Sequence, residues 1–186
     1  YTTELSGASR DFAESSSTLL YAFFLALVLV YLTLAAQFES WFDPLIIMFT
    51  VPLALAGAVL ALWLTGSTLN IFSQIGIIVL IGIVTKNGIL IVEFANQRRD
   101  AGLSKIKAIL DASASRLRPI LMTSLATVLG ALPIALALGA SAASRTSMGI
   151  AIIGGLLFSL LLTLFVIPAL YTYMSRRQTK YDDGDF

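Results

Sequence analysis

The sequence predicts an all-α polytopic membrane protein with five transmembrane helices. Three observations predict it. Hydrophobic residues make up 58% of the 186-residue chain and charged residues only 12%, about half the charge of an ordinary soluble domain. The charges are clustered, which leaves five long apolar runs at approximately 18–36, 44–64, 71–94, 119–138 and 148–173. Each run is close to the ~20 residues that cross a hydrocarbon core of ~30 Å as a helix. Where no water satisfies backbone groups, helices are the spanning form such runs adopt.

The polar segment 1–17 precedes the first run and reads as the end of an extracytoplasmic domain. The first run lacks the basic flank of a secretory signal peptide and counts as a span. The second begins at Pro44, where a missing N–H costs a helix nothing. Pro119 is expected to open the fourth run in the same way. Pro52, Pro133 and Pro168 lie inside or near the ends of spans and imply kinks or freed carbonyls. Small residues at Gly57/Ala61, Gly76/Gly82, Gly130 and Gly149/Gly154/Gly155 suit close helix packing. Between spans three and four, residues 98–117 place Leu103, Ile106, Ile109 and Leu110 at helical spacing among basic residues. That pattern predicts an amphipathic helix lying at the cytoplasmic interface.

Lysine and arginine placement gives the orientation. Arg98, Arg99, Lys105, Lys107, Arg116 and Arg118 lie between spans three and four, and Arg176, Arg177 and Lys180 lie in the tail 174–186. These are nine of the twelve basic residues, all on one side of a five-span chain. The positive-inside rule makes that side cytoplasmic, and the N-terminus faces out. A net charge of +1 gives no reason to expect nucleic acid. Without cysteine or histidine the chain has no thiol chemistry and none of the commonest metal ligands. Paired catalytic carboxylates and a phosphate loop are lacking, and the serines have no histidine base, so neither an enzyme nor a cofactor is expected.

Lys86 breaks the third run, "IFSQIGIIVLIGIVTKNGILIVEFANQRR". It lies about 12 Å along the axis from Phe94 and about 22 Å from Ile71 at 1.5 Å per residue. Snorkelling toward the nearer, cytoplasmic surface runs against the tilt of helical side chains toward the N-terminus. An uncompensated lysine at this depth costs about 2.5–3.5 kcal/mol on insertion scales. It must meet protein or a wet cavity and a counter-charge. Glu93 shares the face but is about 10.5 Å along the axis, and the other acidic residues sit in loops, tails or the interfacial segment. The partner of Lys86 is therefore expected outside this chain. Asn87, Thr123, Ser124 and Thr127 supply uncharged polar neighbours, and Arg116 shares a face with Thr123 if the helix extends back through Pro119. Lys86, Arg116 and Thr123 with imported carboxylates would make a proton relay, and a static ion pair is the alternative. Glu93, near Arg98 and Arg99, is expected to be structural.

"GIVTKNGILIVEFANQRR", "RLRPILMTSLATVLGALP" and "LAAQFESWFDPLIIMFTVPLALAGA" together resemble the resistance-nodulation-division (RND) efflux transporters, in particular their multidrug (hydrophobe/amphiphile) branch. The resemblance covers the last five of the family's twelve spans, most of the C-terminal half of its membrane bundle. It implies a homotrimeric, multi-pass pump of the bacterial inner membrane, exchanging protons for hydrophobic or amphiphilic compounds. A periplasmic adaptor and an outer-membrane channel are the partners it implies, besides membrane lipids. It also implies that Lys86 pairs with two aspartates from the missing N-terminal half, and that Arg116 and Thr123 complete the relay. An exporter of metal ions or lipids from another RND branch, and a membrane scaffold in which Lys86 is structural, remain the alternatives.

Overall fold

The structure, a computed structural model, describes residues 8–137 and 145–174. Six helices follow one another among the described residues: α1 (Ala8–Phe38), α2 (Phe42–Met48), α3 (Thr50–Leu64), α4 (Ile71–Asp100), α5 (Lys105–Ala135) and α6 (Thr146–Met174). With α2 and α3 taken as one crossing, they supply five helical units long and apolar enough to span a membrane. Residues 1–7, residues 138–144 and the basic tail with Arg176, Arg177 and Lys180 lie outside the described residues.

Several expected boundaries shift. Residues 8–17 are helical and continuous with the first span, because a helix already nucleated by an apolar run propagates at little cost. The second run is broken at Phe49. Pro52 cannot donate to the Met48 carbonyl and its ring crowds that group, so the chain restarts its helix there. Thr50 Oγ1 donates to the Ile47 carbonyl at 2.6 Å beside the break.

Residues 98–117 do not form a separate helix. The helix of span three runs on to Asp100, then turns at Gly102, whose φ is +94°. Gly102 N–H donates to the Arg99 carbonyl and Leu103 N–H to the Arg98 carbonyl, the closing pattern that favours glycine in the left-handed region. A single helix then runs from Lys105 through Pro119 and Pro133 to Ala135. Pro119 is thus interior, not a helix start. Its missing donor strands only the carbonyl of Ser115, an exposed residue, while Ala112 and Ile120 are anchored in the core on either side. That anchoring overrides the proline.

α6 is the centre of the bundle, packing most extensively on α3 and also on α4 and α5. Glycines make this approach possible. A Cβ placed on Gly154 would collide with that of Ala61, and one on Gly57 with that of Phe158. A Cβ on Gly149 would come within 2.6 Å of the Ala135 amide nitrogen, so α5 is held equally closely. At the opposite end of α4, Asn70 caps the helix by accepting from Ser73 N–H at 2.9 Å, and Ser147 Oγ on α6 donates to the same Asn70 Oδ1 at 2.8 Å.

The basic end of the bundle is closed by a polar knot. Asp43 at the start of α2 keeps only 1% of its surface exposed. Its Oδ2 accepts from Asn96 Nδ2 on α4 at 3.0 Å, and Asn96 Oδ1 accepts from the buried Tyr171 hydroxyl on α6 at 2.6 Å. Arg99 is buried nearby, and the charges of Arg99 and Asp43 both act on Lys105 at the start of α5. Four helices meet here around one carboxylate.

Two stability effects follow. Gly154→Leu should lower detergent-phase stability by about 1–3 kcal/mol through overpacking, read as a drop in thermal unfolding midpoint, with Ala61→Gly recovering part of it. Asp43→Ala should cost about 1.5–3 kcal/mol because the buried Asn96 amide loses its charged acceptor, whereas Tyr171→Phe should cost about 1 kcal/mol. Equal losses for the two variants would show that the Asp43 charge adds nothing to that bond.

Candidate functional site

α4 and α5 are antiparallel, joined by the short turn at Gly102, and their side chains meet in successive rungs. At the basic end Arg98 Nε lies 2.7 Å from Asp111 Oδ2. One rung further, the Arg116 guanidinium stacks on the Phe94 ring with its carbon 4.3 Å from the centroid, and Arg98 stacks on the same ring at 4.8 Å. Two rungs on, Asn87 Nδ2 donates to Ser124 Oγ at 3.3 Å, and both side chains are buried. Asn87 is a tie between the two helices rather than a free polar neighbour.

Lys86 occupies the middle of α4. It is about 22 Å from Ile71 and about 21 Å from Asp100 along the helix axis. Its side chain opens on a cavity of about 330 Å³ lined by Val79, Gly82, Ile83, Lys86, Asn87, Thr123, Ser124 and Thr127. Thr123 and Thr127 project there from α5. Each hydroxyl donates to its own helix, Thr123 to the Ile120 carbonyl at 3.2 Å and Thr127 to the Thr123 carbonyl at 2.9 Å. Their oxygen lone pairs remain to accept from an ammonium or a water.

The structure therefore brings together five of the six residues singled out in the sequence: Lys86, Asn87, Thr123, Ser124 and Thr127. Arg116 stands apart. The continuous α5 does place it on the face of Thr123, but seven residues away, about 10.5 Å along the axis. Its Nε is shielded from water and has no hydrogen-bond acceptor among the described residues. No carboxylate lies within salt-bridge distance of Lys86 among the described residues. Glu93 is not covered by Arg98, which is committed to Asp111; it accepts instead from Gln97 Nε2 at 3.1 Å. No cluster of three or more potential metal-binding side chains occurs among the described residues.

Sequence reasoning missed the Asp43–Asn96–Tyr171 knot, having placed Asp43 in a loop. Its available signal was a polar residue at the same end of three different spans.

A helical bundle carrying one ammonium at mid-span, facing a polar cavity, is the build of a polytopic membrane transporter. A sequence profile described as the AcrB/AcrD/AcrF family matches residues 1–175, and the chain belongs to that family of RND transporters. It is 45% identical over 172 residues to "Multidrug resistance protein MdtC" of Erwinia tasmaniensis, covering 92% of this chain and 17% of that protein. It is 43% identical over 182 residues to an "Uncharacterized transporter" of Haemophilus influenzae, covering 94% of this chain and 18% of that protein. The chain thus spans less than a fifth of the length of these relatives.

The Asn87–Ser124 tie can be weighed directly. Ser124→Ala leaves the Asn87 amide buried with one fewer acceptor and should cost about 1–2 kcal/mol. Asn87→Ala in that background should add little, and an additive double mutant in thermal unfolding would show that the bond carries no energy.

Proposed function

We propose that this chain supplies the cationic half of a transmembrane proton relay in an RND pump that exports hydrophobic or amphiphilic compounds against proton entry. One observation carries the reading: an ammonium at mid-helix, opening on a polar cavity, with no carboxylate beside it among the described residues. A charge at that depth is costly and needs a partner. The family match supplies the kind of protein in which the partner would reside on another span.

The mechanism is electrostatic. Ionised carboxylates facing Lys86 hold its ammonium, with Thr123 and Thr127 hydroxyls accepting the remaining protons. Protonating a carboxylate weakens the attraction, and the lysine turns toward those hydroxyls. Because Asn87 binds Ser124 from the next position on α4, the reorientation is delivered to α5 as well. A proton thereby selects between two arrangements of the bundle. Arg116, about 12 Å from Lys86 along the axis, serves this scheme as a fixed positive charge at the cytoplasmic end, discouraging cations from entering and drawing anionic groups.

The same reading puts the protein in the bacterial inner membrane, with the ends of α4 and α5 that carry Arg98 and Arg116 in the cytoplasm. A homotrimer with a periplasmic adaptor and an outer-membrane channel is the assembly it implies. The word "multidrug" in the name of the Erwinia relative favours amphiphilic compounds over metal ions or lipids. In the full-length protein, Lys86→Ala should abolish proton-driven efflux at unchanged membrane abundance. Efflux retained by that variant would instead favour a structural Lys86 in a membrane scaffold.

A further inference from the structure

The chain has two tryptophans, and both belong to the second crossing. Trp41 stands immediately before α2 and Trp63 in the last turn of α3. They are 71% and 77% exposed, and neither indole N–H meets an acceptor among the described residues. Trp41 and Phe49 both have right-handed helical backbone angles, so a helical count carries from one tryptophan to the other through the break. Steps of three and four from Trp41 give Leu45, Phe49, Pro52, Ala56, Val59 and Trp63, all of them exposed. They form one stripe along one side of the crossing, apolar throughout and ended at both tips by an indole. From Trp41 to Trp63 the rise is about 33 Å, against ~30 Å for a hydrocarbon core.

The side chains say what covers this stripe. Helices that meet inside a membrane do so through small residues, and this crossing turns its own, Gly57 and Ala61, toward α6. The stripe offers leucine, phenylalanine and valine instead. Even at the break, Phe49 N–H keeps the Leu45 carbonyl as its acceptor at 3.1 Å, so that donor is not bare in an apolar medium. Indoles collect at the two boundaries between hydrocarbon and headgroups, with the ring in the apolar edge and the N–H toward the polar side. Tyr31 of α1 joins Trp41 there, its ring centroid 6.5 Å away. We propose that this stripe faces lipid in the assembled protein, with acyl chains along it and Trp41 and Trp63 seated at the two headgroup boundaries. The proposal does not rest on the relay, but it sets the depth of Lys86. A Cβ on Gly88 would sit 3.1 Å from Ile47 Cγ2 and 3.7 Å from Ile47 Cα, so residue 88 is level with residue 47. Leu80 and Ala54 both meet Gly155 of α6, so α4 runs antiparallel to this crossing. Lys86 is then level with about Phe49, about 12 Å from the Trp41 boundary and about 21 Å from the Trp63 boundary. The ammonium is off-centre, nearer the basic end.

The full-length protein in phosphatidylethanolamine–phosphatidylglycerol vesicles tests this. The emission lost in Trp41→Phe and in Trp63→Phe isolates each indole, and both changes are conservative at exposed positions. Bromine carried near the glycerol end of the lipid chains should quench each indole more than bromine carried near the chain ends. Stronger quenching by chain-end bromine, or none by either, would overturn the boundary assignment. Nitroxide labels on Phe49→Cys and Ala56→Cys, in a background without other reactive cysteines, read the stripe between. They should collide freely with oxygen and hardly at all with a water-soluble nickel chelate, with the Phe49→Cys label nearer the Trp41 boundary. Shielding from both reagents would mean that another helix, of this protein or of a second copy, covers the stripe. Free collision with the chelate would mean that water does. Either result sinks the lipid assignment, and a Phe49→Cys label equally far from both boundaries would remove the offset of Lys86.

Discussion

The backbone contact between α3 and α6 at Gly57, Ala61 and Gly154 is the constraint on which the rest of the bundle depends. Lipid tails are as apolar as leucine, so hydrophobic burial does not drive helices together inside a membrane. Close van der Waals contact does, and it requires residues without bulk. With α6 pulled tightly against α3 by these glycines, Gly149 brings in α5 and Gly76 brings in α4. The consequence is a bundle organised around α6, with α4 and α5 presenting their other faces outward. Lys86, Thr123 and Thr127 are on those outward faces. The packing that holds the helices together thus also decides which polar groups are left open.

Two ionisable side chains within this bundle meet opposite circumstances, and the contrast separates scaffolding from function. Asp43 is almost fully enclosed, but it has an amide donor from Asn96, and its charge acts on Lys105 at the start of α5. A buried charge so compensated is a structural device whose loss exposes its partners rather than a group poised to change state. Lys86 has a cavity, hydroxyl acceptors and an amide-braced helix, but no anion among the described residues. Under the proposed relay its compensation comes from another span and can therefore be varied.

What the sequence made legible follows from the range of the forces involved. The spans and Lys86 could be read directly, because hydropathy is a local sum and a lysine inside an apolar run is visible without knowing its neighbours. The shared face of Arg116 and Thr123 was legible only conditionally, since local rules place Pro119 at a helix start. Tertiary anchoring of Ala112 and Ile120 decided otherwise. The Asp43 knot was legible only as polar residues at one end of three spans, with nothing to join them. Its bonds join residues 53 and 75 positions apart, and nothing in the periodicity of "ESWFDP" says that its aspartate turns inward. Gly82 is the subtler case: the sequence showed a glycine, but only the fold shows that none of the described residues packs against it.

The unbroken course of α5 through Pro119 makes it a lever. Thr123, at the cavity, and Lys105, at the far tip, are 18 residues apart on one rod, about 27 Å. A tilt of about 10° pivoting at Thr123 would sweep that tip through roughly 5 Å, as simple leverage at this rise per residue requires. Two separate helices hinged at the proline would dissipate such a tilt in the joint. One rod would amplify it, so that under the proposed relay a small rearrangement around Lys86 would arrive at the membrane surface as a displacement as large as a side chain.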